Sequence, residues 1–110
     1  MDIKYLYAGI LGNLASALWF VPFASNILHK IRGVKIEKCL SIYFANNVLI
    51  DNRYPEKVHI SADCVFAPFA VVLSHSFVPR GNTVVSSKEV IKSTYIGRGV
   101  FIGAHSVILP

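Results

Sequence analysis

Four histidines are the side chains of this chain best suited to moving a proton: His29, His59, His75 and His105. An imidazole changes charge near neutral pH, so it can take a proton from a hydroxyl and pass it on. Their spacing builds no metal centre, since His75 and His105 are 30 residues apart in the sequence without a near partner. Cys39 and Cys64 form no Cys-x-x-Cys pair, and reduced buried thiols are expected in place of a disulfide framework or a cysteine zinc site. That usage suits a cytoplasmic compartment. Eleven Lys and Arg against six Asp and Glu give a net charge of +5, which invites an anionic partner. No aromatic-basic signature or recognition-helix pattern points to nucleic acid. Gly97-x-Gly99 is not a phosphate loop of the Walker or dinucleotide type.

The elements that must position these groups are unevenly composed. At 110 residues, with 54% hydrophobic and 15% charged residues, the chain is one folded domain at most, which excludes a multidomain enzyme and extensive disorder. Tyr5 to Leu28 is 24 residues without a charge, against about 20 for a bilayer span. His29, Lys30, Arg32, Lys35 and Lys38 follow as a basic cluster of the kind that holds a segment's end at an anionic cytoplasmic leaflet. Asn13, Ser16, Gly9, Gly12 and Pro22 argue against a clean span and predict a helix through about Leu28, bent near Pro22. That segment, residues 1–32, either associates with a membrane or packs on the rest of the domain or a sister subunit. A cleaved signal peptide fits poorly, because the apolar run is long and no small-x-small site precedes the basic cluster.

From Ile36 a step of six lands on Ile36, Ile42, Val48, Tyr54, Ile60, Phe66, Val72, Val78, Val84, Val90, Ile96, Ile102 and Ile108. Twelve of the thirteen are Ile, Val or Phe, whereas thirteen random positions in this composition would hold about four. A period of six is neither helical nor plain strand alternation, and it marks a solenoid in which each unit supplies one inward apolar residue. The clearest blocks run from Ile60 to Val72 and from Ile96 to Ile108, with Cys64, Ala70, Val100 and Ser106 four residues after each anchor. Short strands with a turn every six residues give a three-sided coil. The segment 76–94 is either a further coil or an extruded loop. The turn clusters Pro79-Arg80-Gly81-Asn82 and Ser86-Ser87 favour the loop.

At these blocks the sequence resembles the hexapeptide-repeat acyltransferases. Over about residues 33 to 110 it is most similar to the sugar O-acetyltransferase branch, which includes the maltose and galactoside acetyltransferases and enzymes that decorate surface polysaccharides. The resemblance implies a mainly β fold, a left-handed parallel β-helix over 33–110 preceded by an N-terminal apolar helix. The lead-in Lys30-Ile-Arg-Gly-Val-Lys-Ile36 resembles that of the polysaccharide-modifying members. It further implies acetyl-CoA as acyl donor, a sugar hydroxyl as acceptor, direct transfer with a histidine as base, and a homotrimer with sites between subunits.

His75, in Val72-Leu-Ser-His-Ser-Phe77, opens the expected loop where the resemblance places the catalytic base. It stands three residues after its anchor, where the maltose and galactoside enzymes have the histidine at five and this chain has Phe77. Asn47 resembles an acceptor-binding asparagine, although Asn46-Asn47 is also ordinary turn chemistry. Asp51 and Asn52, with Arg53, form a polar cluster on the next corner that either binds sugar hydroxyls or is a solvated turn. Gly103 and Ala104 are small enough to admit a pantetheine arm, and Arg80, Lys88 and Lys92 could meet its phosphates. His105 is read as a corner residue, His59 as outward-facing, and His29 as part of the basic cluster. No metal is implied. The chain stops in mid-repeat at Pro110, which is expected either of a truncated product or fragment lacking part of the CoA groove or of a last coil covered by a partner chain. The alternative function is accordingly a truncated, catalytically inactive, membrane-associated assembly module.

Overall fold

The computed structural model describes residues 3–21, 23–78 and 88–110. Two helices, α1 (Ile3–Ala17) and α2 (Ala24–Ile31), precede β1 (Lys35–Ile36), β2 (Tyr43–Phe44), β3 (Leu49–Ile50), β4 (Val58–Ile60), β5 (Val65–Phe66), β6 (Val71–Val72), β7 (His75–Val78), β8 (Lys88–Ile91), β9 (Thr94–Ile96), β10 (Phe101–Ile102) and β11 (Val107–Ile108). Nine of these strands form three parallel sheets, β1-β4-β9, β2-β5-β10 and β3-β6-β11. The chain visits the three sheets in the same rotation three times, so each circuit is one coil of a three-sided parallel stack.

Register makes the core. Ile36, Ile60 and Ile96 stand over one another in the first sheet, Phe44, Phe66 and Ile102 in the second, and Ile50, Val72 and Ile108 in the third. A second inward row lies two residues earlier and includes Val34, Val58 and Thr94 in the first sheet, with Ile42 and Cys64 in the second and Val48 and Ala70 in the third, all buried. Inside this prism the Phe44 and Phe66 rings stack at 4.9 Å.

The hexad frame holds without slippage in the second and third coils and slips in the first. Ile42, Val48 and Tyr54 are not strand anchors; the residues paired with Phe66 and Val72 are Phe44 and Ile50. Two short 3-10 turns, Cys39–Ser41 and Pro55–Lys57, add residues at corners of this coil and displace the frame. Ile42 and Val48 remain inward because the displacement is two residues, an even number in a strand whose side chains alternate.

Each passage from the second sheet to the third carries one residue with positive φ: Asn47 (58°), Phe69 (63°) and His105 (58°). This left-handed backbone is costly for Phe and His. Here the amide of Phe69 donates to Asn46 O at 3.1 Å and that of His105 to Pro68 O at 3.2 Å, so the corner peptides also join neighbouring coils.

Between Val72 and Thr94 the chain leaves the stack. β7 and β8 pair antiparallel, with His75 opposite Ile91 and Ser76 opposite Val90. Val78 and Val90 therefore belong to this antiparallel pair and not to the three parallel sheets, and Thr94 already stands in the first sheet opposite Val58. Residues 79–87, including Arg80 and Val84, lie outside the described residues.

The N-terminal segment is two helices, not one helix through Leu28. α1 stops at Ala17, and two turns, with Val21 N donating to Leu18 O and Ala24 N to Val21 O, reverse the chain; Pro22 itself lies outside the described residues. Among the described residues no helix is long and apolar enough to cross a membrane. α1 lies on the coil through Ala8, Gly12 and Ala15. At Gly12 a β-carbon would clash with Asn52 Oδ1, so a larger residue there requires the Asn52 side chain to turn away. Ser25 Oγ ties α2 to Ala15 O at 2.6 Å, and Asn26 Nδ2 donates to Cys39 O and Ile42 O, carbonyls at the exposed edge of the first coil. The helices thus close an edge that would otherwise template further strands.

Phe66→Ala is expected to cost about 3–5 kcal/mol in urea unfolding, because the ring is fully enclosed. Phe101→Ala, in register with Val65 on the outward side of the same sheet and 69% exposed, is expected to stay within about 0.5 kcal/mol.

Candidate functional site

Asp51 immediately follows the inward anchor Ile50, and its amide continues the ladder by donating to Val72 O at 2.8 Å. The side chain is therefore held within the stack, and it is fully buried. Every acceptor site on the carboxylate is used. Oδ1 accepts from the amides of Arg53 (2.7 Å) and Tyr54 (3.0 Å), an Asx-type turn. Oδ2 accepts from the Ser74 amide at 2.7 Å and lies 3.0 Å from the Ser74 hydroxyl, which also reaches Tyr54 O at 2.8 Å. The remaining donor is His75 Nδ1, at 2.6 Å. Burial alone would raise the carboxyl pKa. The amides of Tyr54, Ser74 and Arg53 together with His75 outweigh it and hold Asp51 below its ordinary value, ionised.

His75 opens the hairpin as the first residue of β7. With Nδ1 donating to an ionised carboxylate, the neutral ring keeps its lone pair on Nε2. The side chain is 22% exposed, so the dyad combines a buried anion with an accessible base. Around it, the Tyr54 ring meets the His75 ring edge-on at 5.6 Å and the Tyr54 hydroxyl donates to Glu89 Oε1 at 3.3 Å. Arg53 pairs with Glu89 at 3.2 Å and lies over the Tyr54 and Tyr5 rings. Tyr5 in turn sits edge-on to Tyr54 at 5.8 Å. Helix α1, the corner after β3 and strand β8 converge on one histidine.

Behind the dyad runs a second buried polar layer. Gly33, at φ 118°, lets the chain leave α2 while Val34 N donates back to His29 O at 3.1 Å. This fixes His29 and Arg32 against the coil. Arg32 Nη1 donates to Asp51 O at 2.7 Å, Nη2 donates to Ile50 O, and Nε donates to His29 Nδ1 at 3.0 Å. Burial lowers the Arg32 pKa to about 10 against the opposing pull of Asp51. Burial, reinforced by the Arg32 charge, pushes His29 well below the ordinary histidine value. His29 is thus a neutral acceptor packed 4.8 Å from the Phe44 ring, with Nε2 buried and lacking a partner among the described residues.

Several sequence expectations change here. His29 and Arg32 do not belong to an exposed basic cluster; both are enclosed and serve the corner that holds Asp51. Asp51 is neither a solvated turn residue nor open to a sugar, because its oxygens are fully engaged by the protein. Asn52 turns toward Gly12 and Arg32, with a buried Oδ1 that lacks a partner among the described residues. Lys92 is exposed at the foot of the hairpin, its amide donating to Ser74 O at 3.0 Å. Asn47, Gly103, Ala104 and His105 lie on a different corner, between the second and third sheets, where the His105 ring stacks on Phe69 at 5.1 Å. His59 stacks on Tyr95 at 4.6 Å. Arg80 lies outside the described residues.

Among the described residues no group of three or more His, Cys, Asp or Glu is arranged to hold a metal ion. Both cysteines are free, Cys64 buried and Cys39 half-buried. A cleft of about 480 Å³ is lined by residues at the end of α2 and along the first sheet, among them Lys30, Lys35, Glu37 and His59, and its walls include neither Asp51 nor His75. No protein-family model, curated protein or solved structure matches the chain.

The His29 environment sets a pH dependence. In the unfolded chain its imidazole takes up a proton as the pH falls through the ordinary value of 6.5, whereas in the folded chain it resists until well below that. The unfolded state therefore binds more protons in this window, and stability falls as the pH drops below about 6.5. His29→Gln, which keeps an acceptor for Arg32, is expected to flatten that part of the profile in urea unfolding between about pH 7 and pH 5.

Proposed function

We propose that this chain is an acetyl-CoA-dependent O-acetyltransferase acting on a sugar hydroxyl, of the kind carried by a surface-polysaccharide precursor, on a left-handed parallel β-helix. The observation that carries the reading is the buried, ionised Asp51 carboxylate 2.6 Å from the Nδ1 of a histidine whose other nitrogen is available, at a corner of a three-sided parallel coil.

In this reading His75 Nε2 removes the acceptor hydroxyl proton as that oxygen attacks the thioester carbonyl. The tetrahedral adduct then collapses with cleavage of the carbon–sulfur bond, and the imidazolium returns its proton to the departing CoA thiolate. Asp51 acts on the ring: it holds the Nδ1–H tautomer and stabilises the imidazolium while it lasts. The Arg32 contacts with the Ile50 and Asp51 carbonyls keep the carboxylate in place.

Acetyl-CoA fits the residues at two separate corners. Lys92 supplies a cation beside the hairpin, Arg80 is proposed from the sequence to add a second, and Gly103 and Ala104 offer a small-residue edge elsewhere on the coil. In a homotrimer a neighbouring copy would bring such an edge to His75, which makes the arm's groove a shared one. Asn47 lies on the same corner as Gly103 and would serve the acceptor from there. The activity is cytoplasmic in this reading, where acetyl-CoA is made available.

A second reading, a catalytically inactive membrane-associated assembly module of the same fold, draws support from the large apolar side chains that α1 leaves exposed. Thioester cleavage with a panel of sugar acceptors separates the two. His75→Ala is expected to abolish acceptor-dependent thiol release, and Asp51→Asn to lower kcat by about 10²–10⁴-fold with the coil intact by circular dichroism. Absence of turnover by the unaltered chain with every acceptor would favour the module.

A further inference from the structure

α1 and α2 bury the wrong face for a water-soluble surface layer. A surface helix ordinarily turns its large apolar residues inward. In α1 the inward positions are Ala8, Gly12 and Ala15, while Ile3, Leu6, Tyr7, Ile10 and Leu14 face out, Ile3 at 80% exposure. The connection continues the face with Trp19, Phe20 and Phe23, and α2 extends it through Ile27 and Ile31. Neighbouring elements do not cover these side chains, so the patch is far larger than scattered surface leucines would make.

Charge says what covers it. Residues 3 to 36 contain no Asp or Glu. Lys30 is exposed on α2 between Ile27 and Ile31, and Lys35 and Lys38 are exposed just after the helix. None of these three lysines makes an ion pair among the described residues. A second copy laid face to face would drive three lysines from each chain together with one carboxylate among them, Glu37, whose Oε2 already accepts from the Ala62 amide. Anionic headgroups at the level of the lysines, with acyl chains beneath the aromatic and aliphatic side chains, satisfy both sets at once. Length decides the manner of contact: fifteen residues of α1 measure about 22 Å, short of the roughly 30 Å hydrocarbon core.

We propose that the outer face of α1 and α2 is a membrane-docking surface that lies in the plane of an anionic bilayer. This inference stands apart from the acetyltransferase reading, because it needs neither His75 nor a substrate.

Trp19 is the sole tryptophan of the chain and lies on this face at 45% exposure, so it reports docking directly. The full chain is mixed with phosphatidylcholine vesicles containing about 30% phosphatidylglycerol and with phosphatidylcholine alone, and is followed by co-sedimentation and Trp19 emission. Expected are co-sedimentation and a blue shift with the anionic vesicles only, reversed by salt. Ile10→Glu, an outward substitution that leaves the packed face of α1 untouched, is expected to abolish both. Lys30→Gln combined with Lys35→Gln and Lys38→Gln is expected to weaken partition by roughly 100-fold. No shift and no co-sedimentation at low salt would overturn the proposal. Equal binding to neutral vesicles would overturn the anionic preference. A lipid-free oligomer that Ile10→Glu dissociates to monomer would overturn the docking proposal by showing that a second copy covers the face.

Discussion

Coil-to-coil register is the constraint on which the molecule rests. Each strand here is only two to four residues long, too short to be stable as an isolated ribbon. It persists because its amides and carbonyls are shared with the coils beside it while its inward residue is clasped by those of the other two sheets. Once Ile36 stands over Ile60 and Ile60 over Ile96, everything else at that level is fixed, including which residue occupies each corner. The positive-φ backbone at Phe69 and His105 accompanies corner amides that donate to the coil before, and at Asn47 in the first coil the corner amide donates to Ser16 O of α1.

A buried carboxylate is an anomaly in such a prism, and its surroundings are arranged accordingly. Asp51 sits one residue beyond an aliphatic anchor, in a place where the neighbouring coil offers an amide and a hydroxyl from Ser74. The backbone of the following turn supplies two more donors, and the last is the histidine. Arg32 adds a cation that binds the carbonyls of this corner instead of the carboxylate, so the positive charge stabilises the loop without quenching the anion. A run of polar contacts therefore reaches from the interior face of α2 to the exposed edge of His75. The helical layer is part of the site's foundation as well as a cover for the first coil.

The hexad frame was legible because inward positions admit little besides Ile, Val and Phe, and this selection leaves a mark every six residues. It was most legible from Ile60 to Val72 and from Ile96 to Ile108, where corners have their minimum length. In the first coil the 3-10 turns at Cys39 and Pro55 carry no apolar signal, so a fixed step ran through Ile42 and Val48 and missed Phe44 and Ile50. His75 was legible by type and by its position ahead of a turn-rich stretch. Asp51 as its partner was not, because the contact joins different coils, and their separation depends on corner lengths that composition does not reveal. One clue was available: a carboxylate directly after an inward anchor has little room to reach solvent. Arg32 and His29 were hidden among lysines, since a charge cluster read along the sequence does not distinguish cations that point in from those that point out.

The corner turns of the first coil have a consequence for how such a chain can change over generations. Cys39–Ser41 and Pro55–Lys57 lengthen two corners, and the hairpin that begins at His75 lengthens a third, yet the stacked interior resumes its phase after each of them. Insertions and deletions are therefore absorbed at vertices, where added chain swings outward. The same change within a strand would reverse inside and outside for the rest of that side. In this chain the edge that carries Asn47, Phe69 and His105 stays short, while the added length falls on two edges of the prism, one at Cys39–Ser41 and the other shared by Pro55–Lys57 and the His75 hairpin. Novelty in what the molecule touches can accumulate there while the aliphatic interior stays as it was.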